Sequence, residues 1–209
     1  MLLPAIFNRV AAAAGIALAC DVRETCTGRS LVAPAGGVAP RTPLVQTPVS
    51  SCLVADSSAE LAVAIDAERE LGRESAFFEY FEEVVPSDFP TLPAYDSASF
   101  PVDAIACEQT RNHIRALEPL SWAEAVVSTR ACTLPDGRLA LVPGLDLLNH
   151  SPTATGTSCT VAASAYSNNF LPAAGEAMVE IRTDDAVEEG QEVFIKYGQK
   201  TNRDLLCGE

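Results

Sequence analysis

Leu139-Ala-Leu-Val-Pro-Gly-Leu-Asp-Leu-Leu-Asn-His150 is the stretch on which the reading of this chain turns. Its first half is an unbroken apolar run of strand length closed by Pro143-Gly144, the pattern of a buried strand entering a turn. Asp146, Asn149 and His150 then stand among leucines, where a plain core segment needs no polar side chain. An unpaired buried polar group costs about 1–3 kcal/mol, so each of the three must be hydrogen-bonded or must do chemistry. Three readings are open. Asp146 caps a short helix over Leu147 and Leu148, with Asn149–Pro152 as the turn after it. A metal site is opposed by composition: the other of two histidines, His113, lies in an unrelated segment, and no Cys-x-x-Cys pair supplies ligands. The third reading assigns the polar residues to a small-molecule site.

That third reading comes from resemblance. Val142–His150 resembles the signature of SET-domain protein-lysine methyltransferases, in the branch that includes the Rubisco large-subunit methyltransferase. The resemblance implies that Asn149 and His150 line an S-adenosylmethionine site, largely through backbone contacts. Other segments agree in order and spacing. Cys26-Thr-Gly-Arg-Ser-Leu-Val-Ala33 resembles the opening loop and strand, where glycine permits close approach of backbone to cofactor. Gly28, Arg29 and Ser30 are therefore expected to close over the cofactor, with Ser30 standing where the family has a second glycine. Glu68, Gly72, Ser75 and Tyr80 follow a pattern of the family's helical insert and are read as structural.

Ser121-Trp-Ala-Glu124 is a capping box opening a helix with Trp122, Val126 and Arg130 on one face. In the family an arginine at this spacing lines the substrate-lysine pocket, which implies that role for Arg130, with Thr129 beside it in place of serine. Without the family, Arg130 reads as a cation at a helix end. Asp146 is expected at the same pocket in a mainly structural role, meeting it through backbone. Glu189–Leu206 resembles the closing motif over eighteen residues. It implies that Tyr197 is the catalytic tyrosine, beside the transferring methyl group and part of the cofactor site. Its bland alternative is one more inward aromatic on a strand.

The fold implied is α+β: small curved sheets, a helical insert at about 57–130, and a C-terminal segment threaded under a loop, all within one SET domain over 1–209. The family's second pocket tyrosine would fall where this chain has Glu209, and its C-terminal helical substrate-binding domain is expected to be absent or truncated. The activity expected is therefore protein-lysine methylation, and the alternative is a SET-like binding module that has lost turnover.

Composition bounds the rest. A domain of 209 residues buries roughly 70% of its unfolded surface, and an apolar fraction of 48% is globular. No apolar run reaches the roughly 18 residues of a membrane span, so a soluble chain is expected. The net charge of −14, concentrated at Asp66–Glu83 and Asp184–Glu192, repels nucleic acid and favours a lysine-rich protein partner, histone or not. Any one such run is more often a solvated face. Seven cysteines, an odd number without framework spacing, point to reduced, buried thiols in an intracellular compartment, and a monomer without metal is expected. Ala17-Leu-Ala-Cys20 resembles a lipoprotein cleavage site, but the first base is Arg9, inside the apolar stretch, so an ordinary packed helix over Leu2–Leu18 is expected.

Smaller elements follow the same reasoning. Ser57 and Glu60 predict a helix through Leu71 stopped at Gly72, and Ser75 a second helix with Phe78, Phe81 and Val85 inward. A helix is predicted over Ala106–Leu117 with His113 exposed, and strands at Thr160–Tyr166, Ala177–Arg182 and Glu192–Tyr197.

Overall fold

Alanine-rich sequence at the N-terminus forms helix only until a glycine can end it. In a computed structural model, which describes residues 3–25, 28–89, 92–95, 100–151, 157–163 and 177–195, helix α1 spans Leu3–Ala13. Gly15 then adopts φ +68°, Ile16 N–H donates to Ala11 O at 2.8 Å, and Gly15 N–H donates to Ala12 O at 3.4 Å. This is a Schellman stop, so the helix expected to reach Leu18 ends five residues sooner. Residues 17–18 instead form strand β1 (Ala17–Leu18).

The strands fall into small antiparallel groups. β2 (Asp21–Thr25) and β3 (Gly28–Val32) pair with each other. β4 (Pro43–Pro48) joins β1, and β5 (Leu53–Ala55) follows a single 3-10 turn. β6 (Ala131–Thr133) and β7 (Leu139–Leu141) complete a three-stranded sheet in the order β5-β7-β6. β8 is Asn149–His150, β9 Thr157–Ala163, β10 Ala177–Thr183 and β11 Phe194–Ile195. β10 lies between β4 and β9 in a sheet of order β1-β4-β10-β9. Met178 through Ile181 are all buried there, so β10 reads as a continuous run instead of alternating. β10 and β11 leave the acidic turn between them in different sheets, since β11 pairs in parallel with β8.

Between β5 and β6 the chain is helical: α2 (Ser58–Glu70), α3 (Phe78–Glu83), α4 (Glu108–Arg115) and α5 (Trp122–Arg130). Ser57 caps α2, accepting from Glu60 N–H at 3.3 Å, while Glu60 returns to the Asp56 N–H at 3.2 Å. α5 has the full capping box, with Ser121 and Glu124 satisfying each other's backbone N–H. Ser75 does not start α3. Its hydroxyl donates to Glu68 at 2.6 Å and accepts from Phe77 N–H at 2.9 Å, which explains two members of the insert pattern. Phe81 and Val85 are buried as expected, together with Phe77, Tyr80 and Val84, while Phe78 is only half-buried. Trp122 locks α5 to this helix: its ring meets Phe81 edge-on at 5.8 Å and its indole N–H donates to Pro86 O at 2.9 Å. Leu31, Leu61, Val126, Leu141, Leu148 and Val179 join one core fed by sheets and helices alike. No described helix is long and apolar enough to cross a membrane.

His113, expected to be exposed, is half-buried on α4, whose other inward residue is Ile114. Cys107 opens this helix at the surface. The Thr110 hydroxyl, with backbone N–H groups of the first turn, holds its thiol below the ordinary cysteine range. Burial, and then Asp21, pushes Cys20 up to about 11. Alkylation of the native chain should therefore start at Cys107, at a lower pH than for free cysteine, and leave Cys20 unmodified at neutral pH. Peptide mapping after brief iodoacetamide treatment checks this, and modification of Cys20 before Cys107 would contradict it.

Candidate active site

Gly190, at φ +76°, turns the acidic loop back toward the core, and residues 190–195 then run first along the end of β3 and next along β8. Gly190 N–H donates to Ala33 O, Ala33 N–H to Gln191 O and Val193 N–H to Leu31 O, all at 2.8–3.0 Å, tying the first part to the end of β3. The second part is β11, where Phe194 pairs with Asn149 and Ile195 with His150, and Ser151 N–H donates to Ile195 O at 3.1 Å. One stretch of chain thus brings the opening segment and the Asn149-His150 segment together.

Side chains close the same junction. Glu192 Oε1 accepts from the Ser30 hydroxyl at 2.6 Å and from Asn149 Nδ2 at 2.8 Å, and Asn149 Nδ2 lies 2.7 Å from Ser30 Oγ. Thr25 Oγ1 is 3.0 Å from Ser30 Oγ, and Asn149 Nδ2 reaches Arg29 O at 3.5 Å. Ser30 is fully buried. Its hydroxyl is turned into this network, so serine in place of glycine adds partners here. The structure also commits Arg29: its guanidinium donates to Glu83 O at 2.7 Å and Val84 O at 3.0 Å, capping the C-terminal carbonyls of α3. The Arg29 side chain therefore ties the opening strand to the helical insert. His150 is half-buried beside Asn149.

A second cluster lies on the 3-10 turn Leu145–Leu147, which packs against β3. Asp146 does not cap a helix ahead of it, as the bland reading expects. One carboxylate oxygen accepts from Gly144 N–H at 2.9 Å, behind it in the chain, and the other from Arg130. The Asp146 side chain is completely buried and that of Arg130 is 18% exposed. Arg130 therefore leaves the end of α5 to neutralise a buried carboxylate instead of merely meeting a helix dipole. Thr129 turns away, its hydroxyl donating to Ala125 O at 2.7 Å one helical turn back. Tyr80, read from sequence as structural, is fully buried with its hydroxyl beside Asp146 and Arg130. Burial, and then the Asp146 carboxylate, pushes its pKa far above the usual tyrosine range.

Of the residues expected at the site, Arg29, Ser30 and Asn149 converge directly, His150 adjoins them in β8, and Gly28 begins β3. Arg130 and Asp146 pair, with Thr129 adjacent in the chain but bonded into its own helix. Tyr197 lies outside the described residues. Sequence reasoning missed Glu192, although it falls inside the closing motif, because its partners are 162 and 43 positions away. Among the described residues no group of three or more His, Cys, Asp or Glu side chains could hold a metal ion.

No family model matches the chain, and no curated protein does. Solved structures do. The SET domain of LSMT bound to lysine and AdoHcy superposes with a TM-score of 0.74 at 17% identity, over 99% of this chain and 56% of that one. The same domain bound to methyllysine and AdoHcy gives 0.75 at 19% identity, over 98% and 56%. The chain has the SET fold. Rubisco LSMT bound to AdoMet, at TM-score 0.64 and 17% identity, agrees, with 99% of this chain and 55% of that one covered. The SET fold here spans little more than half the length of each of these structures. It accounts for the mixture of short sheets and an intervening helical segment.

Proposed function

We propose that this chain is a protein-lysine N-methyltransferase that takes its methyl group from S-adenosylmethionine. The observation that carries the reading is the meeting of β3, β8 and the 190–195 segment at one junction of a SET fold, next to a buried Arg130–Asp146 pair. Neighbours with this fold are solved with AdoHcy, AdoMet, lysine or methyllysine. The residues fit the cofactor in one testable respect: Ser30, the departure from the family's glycine, is turned inward and satisfied, so its hydroxyl does not fill the backbone face it would need. When bound, S-adenosylmethionine supplies an electrophilic methyl on a sulfonium.

The chain must then supply geometry and a neutral amine, and positioning is the larger contribution. A lysine of pKa near 10.4 costs about 4.6 kcal/mol to neutralise at pH 7. An apolar channel lowers that cost, and an unpaired carboxylate facing the amine would raise it. Asp146 is compensated by Arg130 and Gly144 N–H, which suits a pocket that has to deprotonate lysine. The chain's overall acidity acts at longer range, recruiting a basic protein while being screened within about 10 Å at 0.1 M salt. Tyr197 is assigned to the transferring methyl, Arg130 and Asp146 to the lysine side of the pocket, and Gly28, Arg29, Ser30, Asn149 and His150 to the cofactor, while the hydroxyl of Thr129, expected in the pocket, is bonded to Ala125 O in its own helix. The reading keeps the protein intracellular and monomeric, with a lysine-containing protein as its substrate and a single SET domain as its catalytic unit.

Methyl incorporation from labelled S-adenosylmethionine into a lysine-rich protein mixture tests the reading. The wild-type chain should incorporate label, and Tyr197→Phe should lose about tenfold in rate, the equivalent of one orienting hydrogen bond. Cofactor binding with no incorporation by wild type would instead identify a SET-like binding module.

A further inference from the structure

Glu192 has no role in the assignment above, yet it is where the three site segments meet. Its Oε1 takes a hydrogen bond from a residue of β3 and another from a residue of β8, and its own backbone is bridged to Val32 two residues before β11. The side chain it holds is a carboxamide, whose two ends are alike in size and opposite in hydrogen-bonding sense. With Nδ2 toward Glu192 and Ser30, Asn149 presents a donor to a carboxylate and a hydroxyl oxygen. Flipped, it would place its carbonyl oxygen against that carboxylate, two acceptors in a half-buried site, which is strongly disfavoured.

We propose that Glu192 is a positioning residue of the cofactor site, acting through Asn149, with Ser30 as the second clamp. This rests on the assignment of Asn149 and His150 to the cofactor. Glu192 keeps the carboxamide in one of its two orientations and holds β8 at a fixed distance from β3 before any ligand arrives. Ser30 is then more than a tolerated replacement for glycine, because its hydroxyl donates to Glu192 and completes the clamp. Its contacts to Ser30 and to Asn149 end on the same oxygen, so glutamine can reproduce these two with its carbonyl while alanine cannot.

The test is the affinity of the full chain for S-adenosylhomocysteine, by titration calorimetry well below the melting temperature, with folding of each variant checked by circular dichroism. Glu192→Ala should bind about tenfold more weakly and Glu192→Gln within about threefold of wild type, as expected when a hydrogen bond to a charged group orients a binding residue. A merely structural role would lower the melting temperature without separating the two variants in affinity. If Glu192→Ala is unfolded at the assay temperature, Ser30→Ala decides: a loss of about threefold supports the clamp and no loss overturns it. Equal binding by Glu192→Ala and wild type, or Gln as weak as Ala, overturns the inference while leaving the function intact. A wild-type chain that does not bind S-adenosylhomocysteine overturns the function and this assignment with it.

Discussion

Replacing Arg130 with alanine should destabilise the chain by about 3–5 kcal/mol, because it strands a carboxylate that is completely buried. Asp146 keeps the hydrogen bond from Gly144 N–H but loses the only ion pair it makes among the described residues. A desolvated charge cannot recover its water without opening the turn over Leu145–Leu147, which packs on β3. Loss of that turn would also move the cofactor segment, so binding and stability should fall together. Urea unfolding measures the effect. The paired variant Arg130→Met/Asp146→Leu should recover part of the loss, since two apolar groups need no mutual compensation. A fully stable Arg130→Ala chain would mean that the pair is not what neutralises Asp146.

Gly37→Ala should cost about 2–4 kcal/mol, against about 1 kcal/mol for Gly36→Ala one residue earlier. Both glycines have positive φ, +88° at Gly36 and +74° at Gly37, so both substitutions carry similar backbone strain. They differ in space. A Cβ at Gly36 meets nothing within 4 Å, whereas at Gly37 it would sit 2.6 Å from the Val187 carbonyl oxygen. That carbonyl accepts from Val38 N–H at 2.8 Å and cannot retreat without breaking the bridge between Val38 and Val187. Val187 leads into the segment that carries Glu192, so the clash should loosen the Ser30–Asn149–Glu192 junction and weaken cofactor binding as well. Thermal unfolding of the two variants side by side separates the steric from the conformational cost. Equal losses would show that Val187 gives way freely.

Elements with local signals were legible from sequence. The box Ser121–Glu124 predicts the start of α5, and Leu139–Gly144 predicts a buried strand and turn, because capping and hydrophobic patterning act within a few residues. Local signals also mislead where a tertiary contact competes with them. Ser75 has a helix-starting pattern, but Glu68 draws its hydroxyl away, and α3 begins three residues later. The stretch Leu2–Leu18 reads as one weakly periodic helix, yet pairing of Ala17 and Leu18 with β4 favours the Gly15 stop.

The sequence by itself pointed to the fold that solved neighbours at 17–19% identity share, and its resemblance assigned Asn149, His150 and Arg130 to the candidate site. Tertiary structure alone decided what their side chains do: Arg130 neutralises Asp146, Arg29 caps α3, and Ser30 faces inward to Glu192. The reason is physical. Capping and periodicity are encoded between neighbours in the chain, whereas the choice of partner for a buried polar group is made among whatever the fold brings within about 3 Å, and that depends on residues scores of positions away.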